Sequence, residues 1–437
     1  MTRGPRSSIG PAPLGLPEPG VEAAAHVARV EAMLHEAIAA GGGWIDFAQY
    51  MSLALYAPGL GYYSAGAAKF GAAGDFVTAP ELSSLFAPVL AGAFPPLFAA
   101  AGARRVLELG PGTGRFAGEA LRELAARGAA PDEYLLLEVG ADLRSRQPAQ
   151  VRELAGEIAG RARWLDTLPA QFSGGVFGNE VLDALPCECF VMRGGEPWRL
   201  GVEANAEVGA VADADADADA DAQDAADSAA GEPAFRWRPR RPDGSQPGDD
   251  EFQSTLGERL PPALRQALPD GYVGEFQPAI GPWIAARGAM LGRGALLLAD
   301  YGLPRAQLYH PQRGAGSLRA HYRHRAHDDP FRYPGLTDLS AWVDFTAVAE
   351  AADAAGLEVC GFATQAAVLL GGGIEARLAA AMDGADEPAR VRLARGARQL
   401  LLPGEMGESV KLMLLGRGLD ADAVPAGFRL QDLRGSL

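Results

Sequence analysis

The stretch Val106-Leu-Glu-Leu-Gly-Pro-Gly-Thr-Gly-Arg115 constrains this chain more than any other. Arg104–Leu109 is short and apolar, as a buried parallel strand should be. It breaks on Gly110, Gly112 and Gly114, and Arg115–Arg127 then has the pattern of a helix. A strand that turns through glycines into a helix brings bare backbone N–H groups close to a ligand. Gly112-Thr-Gly-Arg-Phe-Ala117 also fits a dinucleotide fingerprint, G-x-G-x-x-A. Glu108 argues against that reading. A carboxylate two residues before the first glycine repels a pyrophosphate and attracts a cation.

Tyr134-Leu-Leu-Leu-Glu138 reads as the next strand and ends in a second acid. A carboxylate there can accept two hydrogen bonds from a ribose diol. Glu108 with the three glycines, E-x-G-x-G-x-G, resembles the first motif of class I S-adenosylmethionine (SAM) methyltransferases. Their cofactor carries an ammonium and a sulfonium. An NAD-linked oxidoreductase is the alternative that the glycine loop leaves open.

Further along, Ala162–Asp166 and Gly175–Val181 read as strands, and Gly294–Gly302 as a central one. Strands alternating with helical stretches predict an α/β fold, a Rossmann-like doubly wound sheet. Glu108, Glu138, Asp166, Asn179 and Glu180 then fall at strand carboxyl ends, where such sheets bind ligands. Leu318–Leu336 reads as a polar loop and Leu339–Ala355 as a helix.

The net charge of −16 misleads if taken whole. Ten of the acids lie between Glu203 and Glu232, a segment with no Lys or Arg that includes a run of Ala-Asp repeats. Such a segment repels itself and lacks apolar groups to offset ordering, so a disordered loop is expected over 205–232. No basic stripe points to nucleic acid, and no window resembles a membrane span. Cys187, Cys189 and Cys360 form no disulfide framework, so a cytoplasmic protein is expected.

Several stretches resemble one family in its own order, the MidA-like SAM-dependent methyltransferases. They include Tyr56-Ala-Pro-Gly-Leu-Gly-Tyr-Tyr63, Gly74-Asp-Phe-Val-Thr-Ala-Pro-Glu81, Asn179-Glu-Val-Leu-Asp-Ala-Leu-Pro186, Gly271-Tyr-Val-Gly-Glu275, Asp300-Tyr-Gly302 and Pro403-Gly-Glu-Met-Gly407. The family includes a mitochondrial assembly factor of respiratory complex I. The resemblance implies a class I methyltransferase core with a helical N-terminal part and an inserted lobe, SAM as cofactor, and an arginine in a protein substrate, for that member a complex I subunit. The Ala-Asp run departs from the family's pattern. A SAM-binding assembly factor without catalysis is the second functional alternative.

The division expected is a tail (1–20), a helical part with a lid (21–103), the first half of the core (104–186), an inserted lobe (187–292), the second half with a substrate loop at 303–337 (293–418), and a C-terminal tail (419–437). Glu108, Gly110, Gly112, Gly114, Glu138, Asp166 and Asn179 are expected to bind the cofactor, under a lid that includes Asp75, Phe76 and Thr78. Guanidinium is a delocalised cation and a poor nucleophile; paired carboxylates would hold it and focus charge on one nitrogen. Glu180 is the expected clamp, with Glu275 as partner, Asp183 as a weaker candidate and His321 on the acceptor side. His321, His324 and His327 have spacings a metal site uses, but the interleaved Arg319, Arg323 and Arg325 disfavour a cation, so no metal is expected.

Overall fold

The computed structural model describes residues 16–65, 78–205 and 233–437. Asp75, Phe76, nearly all of the acidic loop and most of the 1–20 tail lie outside the described residues. The chain divides into two units: 1–76, 186–278 and 309–341 form the first, and 77–185, 279–308 and 342–437 the second.

The second unit is built on a mostly parallel sheet. Its strands are β1 (Arg105–Leu109), β2 (Glu133–Leu137), β3 (Ala162–Leu165), β4 (Phe172–Asn179), β5 (Leu291–Leu303), β6 (Glu358–Thr364) and β7 (Val410–Arg417), in spatial order β6-β7-β5-β4-β1-β2-β3. β7 is antiparallel to both neighbours, and the pairs among β1–β5 are parallel. This is the expected doubly wound sheet. From β1 the chain winds outward through β2 and β3, then returns to β4 and β5 on the other side. The direction of winding reverses between β1 and β4, and open sheets bind ligands at that point.

The strands are apolar because both faces of the sheet are covered. Val106, Leu136, Leu297 and Leu412 are fully buried in one cluster, and Leu107, Val176, Leu298 and Met413 are buried in another. The helix Arg115–Ala126 turns Phe116, Ala117, Ala120, Leu121 and Leu124 inward, an i, i+1, i+4, i+5, i+8 stripe. Phe116 stacks on Phe177 of β4 with ring centroids 4.1 Å apart. Residues beyond Leu419 form short 3₁₀ turns in which Phe428 is buried.

The first unit holds a five-stranded antiparallel sheet. Ile45–Asp46, Glu196–Ala204, Glu188–Arg193 and Val273–Phe276 pair in that order, and Phe235–Arg240 also pairs with Glu196–Ala204. The helices Val21–Ala40 and Phe47–Tyr56 contribute Leu34, Phe47 and Tyr50 to its core. The expected polar loop at 318–336 is corrected: Arg319–Tyr322 and Arg325–His327 are strands, in a three-stranded sheet with Asp338–Ser340. The expected helix from Leu339 also begins later, at Phe345, because Asp344 caps it by accepting from Ala347 N–H at 3.1 Å. Among the described residues no helix is long and apolar enough to cross a membrane.

Candidate active site

Glu108 is the one acid in β1, and it is buried. The Tyr134 hydroxyl, on β2, donates to Glu108 Oε2 at 2.6 Å. Burial pushes the Glu108 carboxyl up to about 8; the Tyr134 bond pulls it down, and the nearby Glu138 adds to the rise. Just past Glu108 the backbone turns through Gly110, Gly112 and Gly114, with φ of 62, 55 and 85°. Gly114 is required twice over. Its φ disfavours any side chain, and a β-carbon there would lie 3.1 Å from Val151 and 3.4 Å from Gln147.

Glu138 follows β2 and is also buried. Its Oε1 accepts from Gly140 N–H at 2.7 Å, and its Oε2 accepts from Gln147 Nε2 at 3.1 Å. Gln147 Nε2 also donates to the Gly112 carbonyl at 2.7 Å, while Gln147 Oε1 accepts from Trp164 Nε1 at 2.8 Å. One fully buried amide thereby joins the glycine loop, the second acid and β3. Its orientation is settled by partners on both ends. Beside Glu138, Val139 is 78 % exposed, an unusual position for a large apolar side chain. Asp166 is exposed and ion-paired with Arg144 at 2.6 Å.

At the end of β4, Asn179 Nδ2 donates to Glu180 Oε1 at 2.9 Å. Ala79 N–H donates to the same oxygen at 3.4 Å, from the turn that Thr78 opens. Asn179 Oδ1 is buried and accepts no hydrogen bond among the described residues. Glu180 has φ of 52°, one of four non-glycine residues in the left-handed region among the described residues. Asp183 is buried three residues on, and Asp300 of β5 is fully buried. Burial pushes the Asp300 carboxyl up to about 8, with Glu180 adding to the rise and the backbone bonds from Leu182, Val181 and Asp183 opposing it. Burial likewise raises the Tyr301 hydroxyl, with Glu180, Asp183 and Asp300 adding.

Glu275 and His321 belong to the first unit, Glu180 and Asp183 to the second. Glu275 is buried, and its Oε1 accepts from the Ser317 backbone N–H and, at 2.5 Å, from the Ser317 hydroxyl. Burial pushes His321 down to about 4, with His327 and Arg319 adding, so its imidazole is neutral at physiological pH. Among the described residues no group of three or more His, Cys, Asp or Glu could hold a metal ion.

Tyr134, Val139 and Gln147 were not among the residues expected from the sequence. Gln147 lies in a polar helix, where only tertiary structure reveals it as buried. Asp300 carried a signal, since it ends a long apolar strand in the Asp300-Tyr301-Gly302 motif.

Residues 90–363 match the family described as "Putative S-adenosyl-L-methionine-dependent methyltransferase". A crystal structure of a Burkholderia thailandensis protein bound to S-adenosyl-homocysteine is 38 % identical, covering 97 % of this chain and 100 % of that one, with a TM-score of 0.82. The protein arginine methyltransferase NDUFAF7, mitochondrial, of Mus musculus is 27 % identical, over 84 % of this chain and 79 % of its own length. The Drosophila melanogaster homologue with the same designation is 27 % identical, over 86 % and 82 %. These names overturn one expectation. The curated relatives are mitochondrial proteins, so the cytoplasmic assignment does not stand. Absence of a disulfide framework argues against an oxidising compartment but does not choose among the others. The NAD alternative falls too, since the cofactor is SAM. This chain belongs to the MidA-like family of S-adenosyl-L-methionine-dependent methyltransferases.

Proposed function

We propose that the chain methylates arginine on a protein substrate, with Glu180 as the residue that engages the guanidinium. A subunit of respiratory complex I, the acceptor the family resemblance implies, is the first substrate to test. The observation that carries this reading is the acidic end of β4 and β5. Glu180, Asp183 and Asp300 are close enough that all three raise the Tyr301 hydroxyl. Among the described residues no Lys or Arg forms an ion pair with Asp300. Three carboxyl groups at one end of the sheet favour a cationic partner.

Bound SAM supplies a methyl group on a sulfonium, whose displacement leaves a neutral thioether. The residues here fit that group. Glu108 holds the ammonium, Glu138 accepts from the ribose hydroxyls, and the glycine backbone allows close approach. The unsatisfied Asn179 Oδ1 offers one more acceptor. Val139 covers the adenine with apolar surface, and Asp166, paired to Arg144, stands at its edge. Glu180 would fix one guanidinium nitrogen for in-line attack and accept the proton that this nitrogen loses as its bond to the methyl group forms and the sulfur–methyl bond breaks. Alignment of this kind supplies much of the rate in a displacement reaction. Asp183 adds to the field.

The test is incubation of the protein with labelled SAM and candidate subunits, followed by mass spectrometry of the labelled residue. Label on arginine, lost by about 100-fold in Glu180→Gln while SAM affinity holds within about twofold, is the expected result. Label on another residue type, or undiminished transfer by Glu180→Gln, refutes the assignment.

A further inference from the structure

The backbone between β4 and the turn after it is tied to β5 group by group. β4 and β5 are parallel, with Asn179 opposite Ala299. Glu180 N–H donates to the Ala299 carbonyl at 2.8 Å. The next two N–H groups, of Val181 and Leu182, converge on Asp300 Oδ2 at 3.0 and 2.8 Å. Asp300 Oδ1 accepts from its own neighbour, Tyr301 N–H, at 3.0 Å. Three consecutive donors of one strand end are thus taken by two consecutive residues of its neighbour. Between them Glu180 is held at φ 52°, where a residue with a β-carbon is strained.

The choice of residue at 300 is informative. Donors reach both carboxylate oxygens, so asparagine would set an NH₂ group against an N–H. Among the described residues no Lys or Arg pairs with Asp300, and burial disfavours its ionised form. A turn needing only a cap could be closed with less cost by a backbone carbonyl or a hydroxyl.

We propose that Asp300 is a positioning residue for methyl transfer, one that holds Glu180 in its left-handed conformation and so aims its carboxylate at the acceptor. This rests on Glu180 as the acceptor-engaging residue. Asp300 acts through Glu180 and does not touch either substrate.

The experiment compares wild type, Asp300→Asn, Glu180→Gln and the double variant, reading kcat and KM for the protein acceptor and the SAM dissociation constant. Asp300→Asn is expected to lower kcat by about tenfold or more, with SAM affinity within about twofold. The double variant is expected to be no slower than Glu180→Gln alone, because the two residues share one function. Additive losses, an unchanged kcat in Asp300→Asn, or SAM affinity falling in step with kcat would each overturn the proposal. If Asp300→Asn folds poorly, Glu180→Asn is introduced into it, since asparagine takes the left-handed region more readily. Recovery of the folded fraction is expected, and no recovery overturns the proposal. This stability readout requires no methyl transfer. A Glu180→Gln variant of undiminished activity would therefore remove the acceptor reading while leaving the link between 180 and 300 to stand or fall separately.

Discussion

Two groups of buried carboxylates in this protein meet opposite fates. In the first unit, Arg199 is surrounded by Glu188 at 2.5 Å, Asp46 at 3.0 Å and Asp249 at 3.5 Å. Its guanidinium also lies over the rings of Trp44 and Phe252, at 5.5 and 5.3 Å. In the second unit, Glu108 and Glu138 are buried without an ion pair to any Lys or Arg among the described residues. Both groups carry the mark of burial, which pushes Glu188 up to about 7 and Glu108 up to about 8. Only the first contains its own cation. A buried charge pair supplied from within the chain holds a fold together. Carboxylates without one suit a ligand that brings the charge, which is the role proposed for Glu108 and Glu138.

The contrast can be broken at either end. Arg199→Ala leaves the buried Glu188 and Asp249 and the half-buried Asp46 without their shared cation and is expected to cost about 3–5 kcal/mol of stability, read by denaturant unfolding. Loss of less than about 1 kcal/mol would mean that the cluster is solvated and that the comparison is false. Glu108→Gln is expected to do the reverse. It weakens SAM binding by about 1.5–3 kcal/mol, measured by calorimetry, with no loss of stability in the ligand-free protein. Equal SAM affinity in the variant would deny Glu108 its partner.

Gln147→Leu sharpens the picture. It leaves the Gly112 carbonyl, one Glu138 oxygen and the Trp164 N–H without the amide they share. A stability loss of about 1–3 kcal/mol is expected, with weaker SAM binding and undisturbed acceptor KM. The pH dependence gives the finest test. The Glu108 carboxyl is raised in the folded protein, to about 8. Its contribution to stability is therefore fully present below the ordinary carboxylate range and is lost as pH rises through about 8. SAM affinity follows the opposite course, because the ligand's ammonium needs the ionised carboxylate. Affinity is expected to rise from pH 6 to 8 by at most about tenfold per pH unit. Tyr134→Phe removes a bond to the ionised form and moves this profile to higher pH, by about 0.5–1.5 kcal/mol in affinity at neutral pH. A profile that does not move would detach Tyr134 from the site.

Much of the second unit can be read along the chain. β1, the glycines and the helix after them are local signals, an apolar run followed by residues whose backbone freedom is visible in their names. Glu138 and Asn179 are placed by counting to the end of a strand. The 318–336 segment defeats this kind of reading. Its strands are three and four residues long, dense in His and Arg, and exist because they pair with each other and with Asp338–Ser340. Non-local pairing outweighs local polarity there. Glu180 and Glu275 illustrate a different limit. Their charge is legible in the sequence; that the Glu275 carboxylate accepts from Ser317, 42 positions away, is not.

Residue order alone determined the apolar strands of the sheet, the bend beside Glu108 and the acid that precedes it. These depend on periodicity, glycine and charge, all of which act over a few neighbouring residues. Tertiary structure decided that Gln147 would be a buried tie, that Arg199 would gather three acids and that Asp300 would hold the turn at Glu180. Each depends on groups tens of residues or more apart meeting at hydrogen-bond distance, away from water. Burial of that kind is a property of the folded chain and of no single segment.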